Sequence, residues 1–283
     1  MGIVDRALQF VSTGRNANLP KTWPPGLQRD EVERRLASSE RSLSRLDLTG
    51  AQLGGVDLAG VDLSHANLRD ANLAGCNLDG ANLAECCLCN TDFTGASMRG
   101  AVLRGANGIR SGTLRPPVLE RADLGDADAF GADFSRGRLA GARFDRANLG
   151  EASLHKADMR GARFNDARLD GANLRHAHLD EADLAGASLE AADMAGVRAP
   201  GASFAGARFR RANLGEAVLE GADLTGADLT DADLSGAVLR GSQLRGATFR
   251  GADLDGIVLE AADTDGADFT GGHNHVKDQE ARR

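Results

Sequence analysis

The chain has 283 residues, with 33 basic and 41 acidic side chains and a formal net charge of −8 at pH 7. Its 36 glycines, single tryptophan and lack of tyrosine are unusual for a globular core, and they indicate a repeat protein when they occur with strict periodicity. No apolar run is long enough for a transmembrane helix, and the N-terminal segment lacks the basic region of a secretory signal, so we expect a soluble, cytoplasmic protein.

The first 45 residues lie outside the repeat pattern. The segment TWPPG at residues 22–26 breaks regular structure, because its prolines lack a backbone donor, and we expect Trp23 to pack on the first repeats. Asp30 is a suitable helix N-cap, and the segment that follows it, EVERRLASSERSLSRL, predicts a charged helix over residues 30–45. We therefore expect residues 1–45 to form a helical segment that caps the N-terminal end of the repeats.

From residue 46 to residue 271, a large apolar residue returns at every fifth position. These unit centres run from Leu48 to Leu103 and from Leu114 to Phe269, and 41 of the 44 are Leu, Phe or Met, which excludes chance. The three exceptions are Ala129, Ala199 and Thr264. A small residue, usually Ala, stands two positions before each centre. Five is the period of neither a helix nor a strand, so the pattern predicts neither long helices nor long strands.

The pattern is interrupted between Leu103 and Leu114. Eleven residues separate these two centres where ten would keep the phase, and residues 104–117 contain several glycines and two prolines. Glycine permits positive φ and proline removes a donor, so we interpret this break as a one-residue bulge or a small loop. After the last unit, residues 272–283 form a polar tail that we expect to be frayed.

Units of a small residue, Asp or Asn, Leu or Phe, any residue, and Gly or a polar residue resemble the pentapeptide-repeat family. Residues 220–241, EGADLTGADLTDADLSGAVLRG, carry the resemblance clearly, and it extends over residues 46–271. It implies an all-β fold, a right-handed quadrilateral parallel β-helix of about eleven coils with four units in each coil. Residues 20 apart would then stack, with Phe144 against Phe164 and Asp233 against Asp253, at an interstrand spacing of ~4.8 Å.

The four cysteines do not form a recognisable metal site. Cys76 and Cys86 occupy the small inward position and are expected in the core, whereas Cys87 and Cys89 flank the centre Leu88 and are expected to face outward. The paired CxxC knuckles of a zinc site are absent, so we predict no metal. Because no catalytic constellation or phosphate-binding loop stands out, we also predict no catalytic residue, no cofactor and no enzymatic activity.

Acidic residues exceed basic ones in the repeats. Residues 46–271 carry 34 acidic and 22 basic side chains, and 16 aspartates directly precede a centre. The repeat itself favours Asp or Asn there, so these carboxylates have either a solvating or a binding role. Five basic side chains are expected to cluster on one face: Arg136, His155, Lys156, Arg175 and His176. The acid-rich C-terminal end supplies our candidate partner-binding residues: Asp223, Asp228, Asp233, Asp253, Asp263 and Asp268.

Phe130 is a further candidate contact. Its predecessor Ala129 takes a centre position, which either leaves Phe130 facing outward or turns it inward in place of the missing leucine. Both conformations are compatible with the sequence.

The resemblance implies a protein partner rather than a substrate. Some pentapeptide-repeat proteins bind DNA gyrase or topoisomerase IV by mimicking DNA and protect the enzyme from topoisomerase poisons, and an acidic rod about as wide as duplex DNA fits that role. The alternative is a structural scaffold or interaction module for an unrelated protein, because a fold does not determine a function. Nucleic acid is disfavoured as a ligand by the negative charge, and we expect no membrane contact.

Overall fold

The computed structural model describes residue 27 and residues 29–37, 41–108 and 116–273. The expectations for Trp23, for Leu114 and for the tail beyond His273 therefore lie outside the described residues. Within these ranges, the chain forms one short helix and a long rod built from parallel β-bridges. No helix in this part of the chain is long and apolar enough to cross a bilayer.

Helix α1, Arg29–Leu36, packs on the first coil of the rod. Its Val32 side chain is completely buried in the rod's core, and Leu27 packs beside it. The Leu27 N–H donates to the Asp47 carbonyl oxygen at 3.0 Å, and Arg29 Nη1 donates to the Gly54 carbonyl oxygen at 3.2 Å. Leu27 and the helix thus provide hydrogen-bond donors for two carbonyl oxygens of the first coil, and they cover part of the edge that this coil would otherwise expose.

The helix is shorter than the sequence pattern predicts. It ends at Leu36 instead of residue 45, and it begins at Arg29, which places Asp30 in its first turn and not at the N-cap. The rod already begins at Ser42, which forms a bridge with Asp62, and Leu43 is a buried unit centre. Burying Leu43 in the rod outweighs the weak tendency of a short polar segment to continue a helix.

The rod consists of five-residue units, with four units in each coil. The residue before each centre pairs in parallel with the residue 20 positions later, so Asp233 pairs with Asp253 as the resemblance implied. The N–H of each centre adds a hydrogen bond to the next coil, as Leu224 does to the Gln243 carbonyl oxygen at 2.8 Å. Each unit has one bridging residue, so the bridging residues of four successive units, which are five positions apart, lie on the four faces of the rod. We name these faces the Asp223 face, the Asp228 face, the Asp233 face and the Val238 face.

The interior of the rod is filled by two inward side chains from each unit. The centre Leu184 and the small residue Ala182 are 0% and 1% exposed, and the pattern repeats from coil to coil. Cys76 and Cys86 occupy small inward positions, as predicted, and their thiols donate to the Leu53 and Leu63 carbonyl oxygens at 3.0 and 2.9 Å. The core is therefore one continuous column of apolar side chains.

Each corner needs a residue in the left-handed backbone region, two positions after the centre. Gly226, with φ of 66°, adopts it at little cost, whereas Asp231 adopts φ of 57° with a side chain. The preference for Asp or Asn before the centre has a local cause as well. Its side chain accepts the N–H two residues later, as Asp223 does from Thr225 at 2.9 Å.

The break in the pattern adds six residues to one coil. Bridges across it join residues 26 apart instead of 20, including Asn107 with Asp133 and Asp92 with Val118. Gly108, directly after Asn107, occupies a centre position, and the next described centre is Leu119. The insertion lies between these two centres. The predicted break covers residues 104–117, and the sequence pattern suggests a shift of only one residue there. An insertion of one five-residue unit plus one residue changes the phase of the pattern by one residue only.

The C-terminal end of the rod has a partly open interior. Leu254 is 7% exposed, and Ile257, Leu259 and Phe269 are only partly buried, since no further coil of the described residues covers them. Among the described residues, which end at His273, the N-terminal end of the rod packs against a helix and the C-terminal end does not.

Candidate protein-binding surface

The six candidate aspartates lie on three faces of the rod, two on each face. The pairs are Asp223 with Asp263, Asp228 with Asp268, and Asp233 with Asp253. Only Asp233 and Asp253 are in adjacent coils, while Gln243 and Thr248 separate the members of the other two pairs. The structure thus distributes these carboxylates around the rod and does not gather them at one point.

Three of the six carboxylates are neutralised by an arginine of the preceding coil. Arg210 Nε lies 2.6 Å from Asp228 Oδ2, and Arg245 Nε lies 2.6 Å from Asp263 Oδ2. Asp268 is paired with Arg250 in the same way. In all three pairs the arginine precedes the aspartate by 18 residues. This fixed spacing is present in the sequence and could have predicted the ion pairs. A carboxylate paired within the rod offers little net charge to a partner.

Hydrogen bonds from threonines and from the paired arginines lower the pKa values of these three carboxyl groups. Hydrogen bonds from Thr270 and then from Arg250 lower the pKa of Asp268 to about 2. The Arg245 guanidinium, followed by the Asp265 N–H, lowers the pKa of Asp263. Burial raises the pKa of Asp228, but hydrogen bonds from Thr230 and Arg210 outweigh it, so the net shift is downward.

The other three candidates, Asp223, Asp233 and Asp253, have no ion pair with any described side chain. Each accepts a hydrogen bond from the N–H two residues later, for example from Ser235 to Asp233 at 2.8 Å. Asp233 and Asp253 are direct bridge partners on strands ~4.8 Å apart. Two like charges therefore occupy opposed positions on adjacent coils, an arrangement that destabilises a sheet.

Two further carboxylates extend this arrangement on the Asp233 face. Asp255 follows Asp253 by two residues, and Glu216 lies at the corner that follows Asn213, the bridge partner of Asp233 in the preceding coil. Neither is ion-paired within the described ranges, and Asp255 Oδ1 is buried with no hydrogen-bond partner there. We call Glu216, Asp233, Asp253 and Asp255 the acidic patch. Sequence reasoning missed Glu216 and Asp255 because it considered only aspartates that precede a centre.

The expected basic cluster lies on the same face, nearer the middle of the rod. Arg136, Lys156 and His176 occupy successive corners, and the His155 and His176 rings are 6.1 Å apart. Burial, followed by Lys156 and His176, lowers the pKa of His155. Arg175 is paired with an aspartate at 3.3 Å, but no described residue forms an ion pair with Arg136 or Lys156. The Asp233 face is therefore basic in its middle and acidic at its C-terminal end.

Phe130 faces outward, which decides between the two conformations that the sequence left open. Ala129 is buried at the centre position, and the Phe130 ring lies 4.9 Å from Arg104 Cζ and against Gly150. Arg104 also pairs with Asp128 at 2.9 Å. This group lies on the Asp228 face, so Phe130 and the acidic patch do not form one continuous site.

Cys87 and Cys89 lie on the Asp233 face, near the N-terminal end. The expectation that both face outward is wrong for Cys89, which is 0% exposed, whereas Cys87 is partly exposed. The Cys89 side chain is small enough to lie beneath the next coil, with its sulfur 4.0 Å from the Asn107 carbonyl oxygen. The two sulfurs are 3.3 Å apart. In the part of the chain that the structure describes, no three His, Cys, Asp or Glu side chains are arranged to hold a metal ion.

The repeat pattern matches a known family over most of the chain. The family model of pentapeptide repeats matches in eight copies, over residues 42–80, 76–107, 130–166, 167–204, 202–241 and 242–272. The chain is a pentapeptide-repeat protein. Membership implies a right-handed β-helix, and the parallel bridges between successive coils agree with that architecture.

Several solved pentapeptide-repeat proteins are similar to this chain. HetL from the cyanobacterium Nostoc sp. strain PCC 7120, involved in heterocyst differentiation regulation, is 31% identical over 85% of this chain and 96% of its own, with a TM-score of 0.41. QnrB1, a plasmid-mediated fluoroquinolone resistance protein, is 18% identical over 80% and 93%, with a TM-score of 0.41. A protein from the Arabidopsis thaliana thylakoid lumen is 32% identical over 31% and 61%, with a TM-score of 0.30. Among curated proteins, no significant match was found.

Any ligand or partner must contact the surface of this pentapeptide-repeat protein, because the inward side chains fill the shaft. Most arginines of the described residues form ion pairs between neighbouring coils, so part of the acidic charge is paired within the rod, while other carboxylates have no ion pair there. The acidic patch consists of such carboxylates, and it can bind a complementary array of cationic side chains.

Proposed function

We propose that this pentapeptide-repeat protein is a non-catalytic binding solenoid that uses the acidic patch to hold a cationic surface of a protein partner. The observation that carries the proposal is the direct opposition of Asp233 and Asp253, with no cation of the described residues paired to either. Opposed like charges lower the stability of the free rod. Lysine or arginine side chains of a partner would remove that penalty on binding, so the rod gains more from a cationic surface than from water.

DNA gyrase or topoisomerase IV is the partner that we propose first. Both enzymes bind DNA, and a rod that presents stacked carboxylates offers a cationic groove the same sign of charge as the phosphates of DNA. The resemblance to topoisomerase-protecting family members supports this choice, and such binding would protect the enzyme from topoisomerase poisons. Asp228, Asp263 and Asp268 are paired internally, so we assign the contact to the unpaired carboxylates of the acidic patch and not to these three.

A scaffold for an unrelated protein is the second candidate. The unpaired Arg136 and Lys156 on the same face would repel a cationic groove and attract an acidic segment instead. HetL, a similar protein, is involved in the regulation of heterocyst differentiation, so a regulatory partner is a reasonable alternative to a topoisomerase.

The test is a gyrase supercoiling assay over a titration of this protein, with and without a quinolone-type poison. We expect inhibition or protection, and weaker binding as salt is added, since exposed charges are screened beyond about 8–10 Å at physiological ionic strength. The variant Asp233→Lys/Asp253→Lys/Asp255→Lys should lose the effect. The control Asp57→Lys/Asp62→Lys/Asp92→Lys has the same change in charge near the other end and should keep most of it.

Two results would redirect the proposal. No inhibition, no protection and no pull-down at micromolar concentration would reject the topoisomerase and leave the scaffold. An equal loss of binding in both variants would show that overall charge, and not the acidic patch, attracts the partner.

A further inference from the structure

Cys87 occupies a position that is usually filled by a hydrogen-bond acceptor. In the units directly before and after it, Asn82 accepts the Ala84 N–H at 3.1 Å and Asp92 accepts the Thr94 N–H at 2.8 Å. Cys87 stands in the corresponding place, between its bridge partners Asn67 and Asn107. A thiol is a weak acceptor, so this unit departs from the local rule of the repeat.

The Cys87 and Cys89 sulfurs are already close to bonding distance. They are 3.3 Å apart, and a disulfide bond needs about 2.05 Å, so an approach of about 1.3 Å is sufficient. Both residues belong to one unit, and small side-chain rotations can close this gap without moving one coil against another. The thiols differ in access, because Cys87 is partly exposed and Cys89 is completely buried.

The other two cysteines are unsuitable as competitors. Cys86 is next to Cys87 in sequence, but its side chain points into the shaft, where the sulfur donates to the Leu63 carbonyl oxygen at 2.9 Å. Burial raises the pKa of Cys86 to about 12 and also raises the pKa of Cys76. Since the thiolate is the reactive form, both inward cysteines are expected to stay reduced.

We propose that Cys87 and Cys89 form an oxidisable dithiol that hydrogen peroxide converts to an intramolecular disulfide. The Cys87 sulfur attacks one peroxide oxygen, which breaks the O–O bond, gives a sulfenic acid and releases one water. The Cys89 sulfur then attacks the Cys87 sulfur, forms the S–S bond and releases a second water. Two thiols have then lost two electrons and two protons, and one peroxide has been reduced to two waters.

The position of the dithiol connects it to the break in the rod. Cys87 forms a bridge with Asn107, and the Cys89 thiol contacts the Asn107 carbonyl oxygen at 4.0 Å. Asn107 directly precedes Gly108, and the insertion of six residues lies between Gly108 and Leu119. Moving the Cys89 sulfur towards Cys87 weakens its contact with Asn107, so oxidation acts on the coil that carries the insertion. This dithiol is separate from the acidic patch and does not depend on the proposed partner.

The full-length protein can test this inference by mass spectrometry. The chain is reduced, freed of reductant, exposed to limited hydrogen peroxide, unfolded and alkylated. We expect the intact mass before alkylation to fall by two hydrogen atoms, and two of the four cysteines to accept the label. Fragmentation should place that label on Cys76 and Cys86. Label on all four cysteines, or a bond that joins Cys86 to Cys87, would overturn the proposal.

Single variants separate the roles of the two thiols. In Cys89→Ser, Cys87 should remain as a sulfenic acid that a dimedone-type reagent traps, because no resolving thiol is present. Cys87→Ser should show neither a disulfide nor a trapped sulfenic acid at the same peroxide dose. The matched control Cys86→Ala should still form the disulfide. A Cys86→Ala variant that is folded by circular dichroism but forms no disulfide would contradict the assignment of Cys89 as the resolving thiol.

Discussion

The rings of Phe144 and Phe164 stack face to face, with their centroids 4.9 Å apart and their planes 2° apart. The two residues are 20 positions apart in the sequence and lie in adjacent coils of the Asp223 face. The ring spacing matches the interstrand distance of ~4.8 Å, so the backbone bridges and the aromatic stack reinforce each other. A side chain in the shaft therefore depends mainly on the coils directly before and after it.

Replacement of Phe164 by Ala should be strongly destabilising. The ring is completely buried and stacked, and Phe→Ala changes in cores cost about 3–5 kcal/mol in the free energy of unfolding. Urea unfolding followed by circular dichroism measures the loss. The control Phe164→Leu keeps most of the apolar volume and should lose clearly less. If the alanine variant unfolded at the parent's urea concentration, the shaft would not be the packed core described above.

The contact between α1 and the first coil should control solubility. Val32→Asp places a carboxylate in the apolar contact, and an unpaired buried charge costs several kcal/mol, so the helix should detach and expose the edge of the rod. We expect aggregation, measured by light scattering and size-exclusion chromatography. Arg34→Ala, on the exposed side of the same helix, should behave like the parent. A soluble, monomeric Val32→Asp variant would show that the helix is dispensable.

The corner glycines should be sensitive to substitution even where space is available. An added Cβ at Gly226 meets no atom within 4 Å, but φ is +66°, so Gly226→Ala tests the backbone conformation alone. A left-handed residue with a side chain costs about 1–2 kcal/mol, and we expect a loss of that size in thermal or urea unfolding. Thr225→Ala, one residue earlier, is the control. Equal stability of both variants would indicate that the corner tolerates any residue.

Asp268 should make the stability of the last coil depend on acid pH. Its folded pKa is about 2, below the ordinary value of 3.8, so the unfolded chain binds the proton more readily. The stabilisation is fully present above pH 3.8 and is lost as the pH falls through about 2. Unfolding measured over this range should show a smaller slope in Asp268→Asn. Arg250→Gln removes one of the groups that lower this pKa, so it should give an intermediate slope, and a slope equal to the parent's in both variants would refute the assignment.

Much of the ladder geometry could be predicted from the sequence, but charge pairing was only partly visible. Bridge partners such as Asp233 and Asp253 follow from four units of five residues in each coil, which the family resemblance supplied. The same arithmetic applied to arginines would have shown that Asp228 and Asp263 are neutralised from 18 residues away. Position alone did not reveal Asp255, because its unpartnered oxygen depends on how neighbouring side chains pack.

The sequence by itself determined which residues enter the shaft. Each five-residue unit has one large apolar residue and one small residue two positions before it, and the chain must bury both in every unit. Tertiary structure decided the rest. A period of five reports an insertion only as its remainder, so the length of six residues follows only from the pairing of Asn107 with Asp133 in the structure. Likewise, Cys87 and Cys89 both flank a centre, but packing against the next coil buries Cys89 completely and leaves Cys87 partly exposed, and the two sulfurs lie 3.3 Å apart.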